Sequence, residues 1–128
     1  MTTAVIDASF VLSFLLPDER ILKVDEIFFK HLNEEIAIVA PTLLPFEVAN
    51  DLKSACLRKR VDRKTGASLL EKFCDLGIRV VPVYVPEVFS LALANGLSFY
   101  DASYAWLAQS RGCQLMTHDK KLSKIIKQ

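Results

Sequence analysis

Four short β-like runs set the strongest limit on what this chain can fold into: Thr3-Ala4-Val5-Ile6, Ile36-Ala37-Ile38-Val39, Ile78-Arg79-Val80-Val81 and Gln114-Leu115-Met116. Their apolar residues are mostly continuous rather than alternating. A strand with one face in water alternates; a strand covered on both faces, as in a parallel sheet, does not. Helical stretches fill the gaps, at residues 10–16, 20–32, 43–60, 64–76, 86–95, 99–111 and 122–126. Within 43–60, Leu44, Val48, Ala49, Leu52, Ala55 and Cys56 share one helix face. Pro45 fits only a first turn, so this helix starts near Leu43 with Thr42 as its predicted N-cap. Strands alternating with helices predict an α/β domain on a parallel sheet. Right-handed crossovers make every path leave such a sheet at its carboxyl edge, which is where ligands bind.

At 128 residues the chain is expected to form a single domain over 1–128. A hydrophobic share of 52% supports a sizeable core. The 16 basic and 15 acidic residues nearly cancel, which argues against gripping nucleic acid by basicity alone. Cys56, Cys74 and Cys113 are odd in number and widely spaced, so they read as reduced, mostly buried thiols rather than a disulfide framework or zinc site. The apolar start from Ala4 to Leu16 lacks a preceding positive charge and is interrupted by Asp7. The longest uncharged stretch, residues 88–100, has 13 residues against the ~20 that span a bilayer. A soluble, cytoplasmic protein is expected, without membrane association.

Four acids stand where that scheme has chemistry. Asp7 follows the first strand, Glu47 opens the helix after the second, Asp101 opens the helix leading into the fourth, and Asp119 follows the fourth. Each has an ordinary structural explanation: Asp7 and Asp119 as helix caps, Glu47 on a solvated stripe with Asn50, Asp51, Ser54 and Arg58, and Asp101 in a capping box with Ser98. None of these explanations requires all four to face one crevice. Two unit charges at 4 Å repel by ~4 kcal/mol at an effective dielectric near 20. Several carboxylates together therefore need protons or a cation, and hard oxygen donors select Mg²⁺ or Mn²⁺. Such an ion at a sheet edge suits phosphodiester hydrolysis.

The same residues resemble the motifs of the PIN-domain family, in its VapC-like branch. Val5-Ile6-Asp7-Ala8-Ser9 is similar to the opening motif, and residues 42–52, with Glu47 and Asn50, to the second. Residues 97–104 around Asp101 and residues 112–119, ending Thr117-His118-Asp119, are close to the third and fourth. The resemblance spans about the whole chain. It implies a three-layer α/β/α sandwich with a central, mostly parallel sheet of four to five strands. It implies a metal-dependent endoribonuclease acting on RNA, typically the toxin of a type II toxin–antitoxin pair, with a cognate antitoxin and a homodimer. Asp7, Asp101 and Asp119 are then the expected ligands of Mg²⁺ or Mn²⁺, and Glu47 is expected to reach the metal or its water. Ser9, Thr117 and Asn50 are expected in support. His118 stands where the family varies and takes no role.

Six of the twelve residues from Lys53 to Lys64 are basic, and Lys120, Lys121, Lys124 and Lys127 form a second cluster. Such clusters are ordinarily solvated helix faces. Lys120 and Lys121 adjoin Asp119 and lead the candidates for RNA phosphate, with Arg58 and Arg60 behind them. Tyr100 and Tyr104 flank Asp101, where core packing beside Phe99 and Trp106 is weighed against stacking on bases. Phe10, Phe14, Phe28, Phe29, Phe89 and Leu93 are expected to leave apolar surface that seeds a dimer. Two other readings compete. A binding or assembly module with the same crevice receives a partner's Arg or Lys instead of a metal. A phosphoacceptor domain of the response-regulator type fits poorly, because Asp7 stands alone after the first strand and no acid follows the third. Fifteen acids less the four leave 11 against 16 basic residues, a mildly basic body around an acidic pocket.

Overall fold

The computed structural model describes residues 2–126. Four strands, β1 (Thr2–Ile6), β2 (Ile36–Pro41), β3 (Arg79–Val81) and β4 (Gln114–Met116), form one sheet in the order β3-β2-β1-β4. All three pairings are parallel, with Val5 opposite Val39 and Leu115, and Ala40 opposite Val80. Val5, Ile6, Ile38, Val39 and Ala40 are buried, as continuous apolar runs require.

Among the described residues seven helices flank the sheet: α1 (Ala8–Leu15), α2 (Leu22–Leu32), α3 (Leu44–Leu57), α4 (Arg63–Cys74), α5 (Val85–Asn95), α6 (Phe99–Arg111) and α7 (Lys120–Ile126). A short 3-10 turn at Pro17–Glu19 joins α1 to α2. α6 lies against β1 and β2 and carries α5 on its outer side; α1, α2, α3 and α4 pack on one another, with α2 against β2. This is the expected three-layer sandwich, with four strands. The chain turns sharply at Gly112, whose left-handed φ of 60° ends α6 just before β4. No helix among the described residues is long and apolar enough to cross a membrane.

Three expectations are corrected. Thr42 is not the cap of α3: Leu43 takes that position without a side-chain bond, while the Thr42 N–H donates to the Val81 carbonyl at 3.1 Å. The phenylalanines divide. Phe10, Phe14 and Phe28 are buried, with Phe14 and Phe28 stacked at 4.3 Å, whereas Phe29, Phe89 and Leu93 are exposed. The thiols are unpaired, but Cys74 is exposed and the other two only half-buried.

The sheet order matters for function. The chain moves from β1 to β2 on one side and later returns to place β4 on the other. β1 and β4 therefore flank the point where strand order reverses, and the crevice outside their carboxyl ends is the natural binding position.

Candidate active site at the carboxyl edge

Asp7 and Asp119 leave the two strands that flank this crevice. The Asp7 N–H donates to the Met116 carbonyl at 3.2 Å, which joins the two strand ends. The Asp7 carboxylate is buried, at 8% exposure, and fully engaged. One oxygen accepts from the Ser9 hydroxyl at 2.6 Å and, as the N-cap of α1, from the Phe10 N–H at 3.1 Å. The other accepts from the Thr117 hydroxyl. That same Thr117 oxygen accepts from the Asp119 N–H at 3.0 Å, and Asp119 caps the start of α7 by accepting from the Leu122 N–H at 3.1 Å. Asp7 and Asp119 thus fill the cap positions read from sequence while also facing the crevice.

His118 pegs this junction. Its N–H donates to the Ser9 hydroxyl at 3.2 Å, its Nε2 lies 2.7 Å from the Ser13 hydroxyl, and its ring leans on Phe10 at 5.4 Å. No local pattern in the sequence announces that contact, because Ser13 is 105 residues away.

Glu47 and Asp101 complete the edge from the first turns of α3 and α6. Glu47 is not the solvated surface acid of its stripe. It is half-buried and accepts a 2.5 Å bond from the Tyr104 hydroxyl. Burial raises the Glu47 carboxyl above its ordinary range; the Tyr104 bond pulls it down, and Asp101, Asp51 and Asp7 push it up again. Burial likewise raises Asp101, helped by Asp119 and Asp7 and opposed by the Ser98 hydroxyl and Lys121. The Ser98 hydroxyl also accepts from the Asp101 N–H at 3.0 Å. Glu47 is thus pushed up by Asp101 and Asp7, and Asp101 by Asp119 and Asp7.

All four offer hard carboxylate oxygens, the donor type of Mg²⁺ and Mn²⁺. Among the described residues, no three His, Cys, Asp or Glu side chains are gathered closely enough to enclose an ion. The set suits an ion that keeps several waters and takes only one or two carboxylates directly, as Mg²⁺ does.

The supporting and basic residues fall into two groups. Ser9 and Thr117 touch Asp7 directly. Asn50 lies exposed, one turn along α3 from Glu47. Lys120 and Lys124 line an open hollow of about 270 Å³ with Thr117, His118 and Asp119. Arg58 lines a groove of about 350 Å³ that begins at Ser9. Arg60, also on that groove, is no free phosphate donor, because its guanidinium is held by Asp18 at 2.9 Å and Glu19 at 2.6 Å. Lys121 is redirected too, its ammonium donating to the Gly96 carbonyl at 2.7 Å. Lys127 lies outside the described residues. Tyr104 is core, as expected, but Tyr100 is 60% exposed with its ring edge against Phe99.

The chain resembles known proteins in sequence and fold. The model of the PIN domain matches residues 4–128. The ribonuclease VapC3 of Pyrobaculum aerophilum is 29% identical over 124 residues, covering 94% of this chain and 92% of its own. The exonuclease VapC9 of the same organism is 35% identical over 95 residues, covering 74% and 69%. The crystal structure of PAE2754 from Pyrobaculum aerophilum superposes with a TM-score of 0.74 at 30% identity, covering 94% of this chain and 84% of that one.

Proposed function

The chain belongs to the VapC-like branch of the PIN-domain family, and from that premise we propose that it is a divalent-metal-dependent endoribonuclease, the toxin of a type II toxin–antitoxin pair. The observation that carries the reading is the convergence of Asp7, Glu47, Asp101 and Asp119 on one sheet edge, where burial and mutual repulsion raise Glu47 and Asp101. The resemblance to proteins named ribonuclease supplies the substrate class.

In this reading Asp7, Asp101 and Asp119 would hold a hydrated Mg²⁺ or Mn²⁺, one or two of them directly and the rest through its waters, and Glu47 would reach the ion or its water. Held there, such an ion would supply Lewis-acid chemistry, activating water and stabilising charge on the leaving oxygen. Ser9 and Thr117 keep Asp7 oriented, so that its carboxylate is in place before substrate arrives. Lys120 and Arg58 contact RNA phosphates on either side of the acids. The acidic crevice also receives a basic side chain of the antitoxin in the inhibited complex.

Purified protein is expected to cleave RNA with Mn²⁺ or Mg²⁺ and to stop in EDTA. Asp7→Asn and Asp101→Asn are expected to lose at least about a hundredfold. Cleavage that persists in both variants defeats the reading. Internal fragments identify an endonuclease; release of single nucleotides from one end identifies the activity in the name of the exonuclease relative.

The homodimer belongs to the same proposal. Val85, Phe89 and Leu93, exposed at 57%, 58% and 71%, recur every fourth residue on the outer face of α5. A contiguous apolar stripe of that kind marks an interface, and a second copy of the chain is its expected cover. Light scattering is expected to give twice the chain mass, and Phe89→Lys to halve it.

A further inference from the structure

Among the described residues Tyr104 is the largest fully buried side chain, 1% exposed in the main core, yet it ends in a hydroxyl. A phenylalanine fills the same volume. A buried hydroxyl without a partner is costly, so the ring's position commits its proton to whatever acceptor stands at its tip. That acceptor is Oε1 of Glu47, 57 residues away. Burial, the bond itself and the surrounding carboxylates keep the Tyr104 proton in place far above neutral pH. Glu47, by contrast, has little anchoring of its own. It sits in the first turn of a helix whose N-cap makes no side-chain bond, on a long side chain with three rotatable torsions. The ring is fixed by the core, and the carboxylate is fixed by the ring.

We propose that Tyr104 is a positioning residue of the site: its hydroxyl takes one oxygen of Glu47 and leaves the other, in one orientation, for a divalent cation or its water. The inference rests on the metal-site reading above. It also gives Glu47 the same kind of support that Ser9 and Thr117 give Asp7, a hydroxyl donor that orients a carboxylate from behind.

Tyr104→Phe removes one oxygen and keeps the packing. Mn²⁺ affinity by calorimetry is expected to fall roughly 10- to 100-fold, with kcat falling over a similar range and KM for RNA unchanged. Glu47→Asp, which withdraws the carboxylate from the hydroxyl and leaves the core intact, is expected to show the same pattern even where Phe at position 104 unsettles the fold. In a Glu47→Gln background, Tyr104→Phe is expected to add nothing, because the hydroxyl acts only through Glu47. Mn²⁺ affinity and kcat within about twofold of wild type in folded Tyr104→Phe overturn the inference, as does an equal loss in the Glu47→Gln background. Wild-type protein that neither binds Mn²⁺ nor cleaves RNA defeats the metal-site reading itself. Wild-type activity with an unaffected Tyr104→Phe defeats this inference alone.

Discussion

The two halves of the acidic edge are built differently. On the β1–β4 side, Asp7 and Asp119 sit in a continuous network with Ser9, Thr117, His118 and Ser13, and both carboxylates also cap helices. On the α3–α6 side, Glu47 leans on one hydroxyl and Asp101 on a short turn, and both carboxyls are pushed above their ordinary range. The first half is held by geometry. The second is held against its own electrostatics, in a form that a cation relieves. Removing a group from the first half should therefore weaken the fold, whereas removing a charge from the second should spare the metal-free fold and damage only function.

The largest stability effect is expected at the centre of the network. Asp7→Ala deletes a helix cap and orphans the Ser9 and Thr117 hydroxyls, and should cost about 2–4 kcal/mol in urea denaturation. Thr117→Val keeps the shape but breaks the link between Asp7 and Asp119, for about 1–2 kcal/mol. Ser13→Ala, which only unseats the His118 peg, should cost about 0.5–1.5 kcal/mol. A Thr117→Val protein as stable as wild type breaks the distinction between the halves.

On the other side the sign reverses. A carboxyl whose folded pKa lies above its unfolded value favours folding below the unfolded pKa, and that benefit is lost as pH rises through the folded pKa. At neutral pH the ionised Asp101 therefore works against the metal-free fold. Asp101→Asn should raise Tm at pH 7 by about 2 °C, small because the group is partly solvated. The advantage should shrink as pH falls through the carboxyl range and vanish in excess Mn²⁺. Thermal scans across pH without metal check this, and a lower Tm for Asp101→Asn at pH 7 contradicts it.

How much of this was legible in the sequence follows from the distance over which each signal acts. The strands were readable because burial on both faces leaves a local mark, the continuous runs at residues 3–6 and 36–39. Helix bodies were readable for the same reason, although α1 begins at Ala8, two residues before Phe10, because Asp7 caps it there. The carboxyl-edge position of the acids followed from topology alone. What the sequence did not carry were partnerships across the chain. Tyr104 with Glu47, His118 with Ser13, Arg60 with Asp18 and Glu19, and Lys121 with Gly96 are separated by 25 to 105 residues. Each joins residues whose own neighbourhoods look ordinary. Tyr104 reads as an apolar-face aromatic and Arg60 as one more member of a basic run, and only the folded chain shows what each one meets.

On the proposed function, the four carboxylates form one site for a divalent cation. Titration of the purified, metal-free chain with Mn²⁺ at neutral pH tests it most directly, with calorimetric heat and Tm followed on the same sample. Saturable binding with a matching rise in Tm, both lost in Asp101→Asn, is the expected result. A folded wild-type chain that gives neither heat nor any change in Tm as Mn²⁺ is raised contradicts the claim.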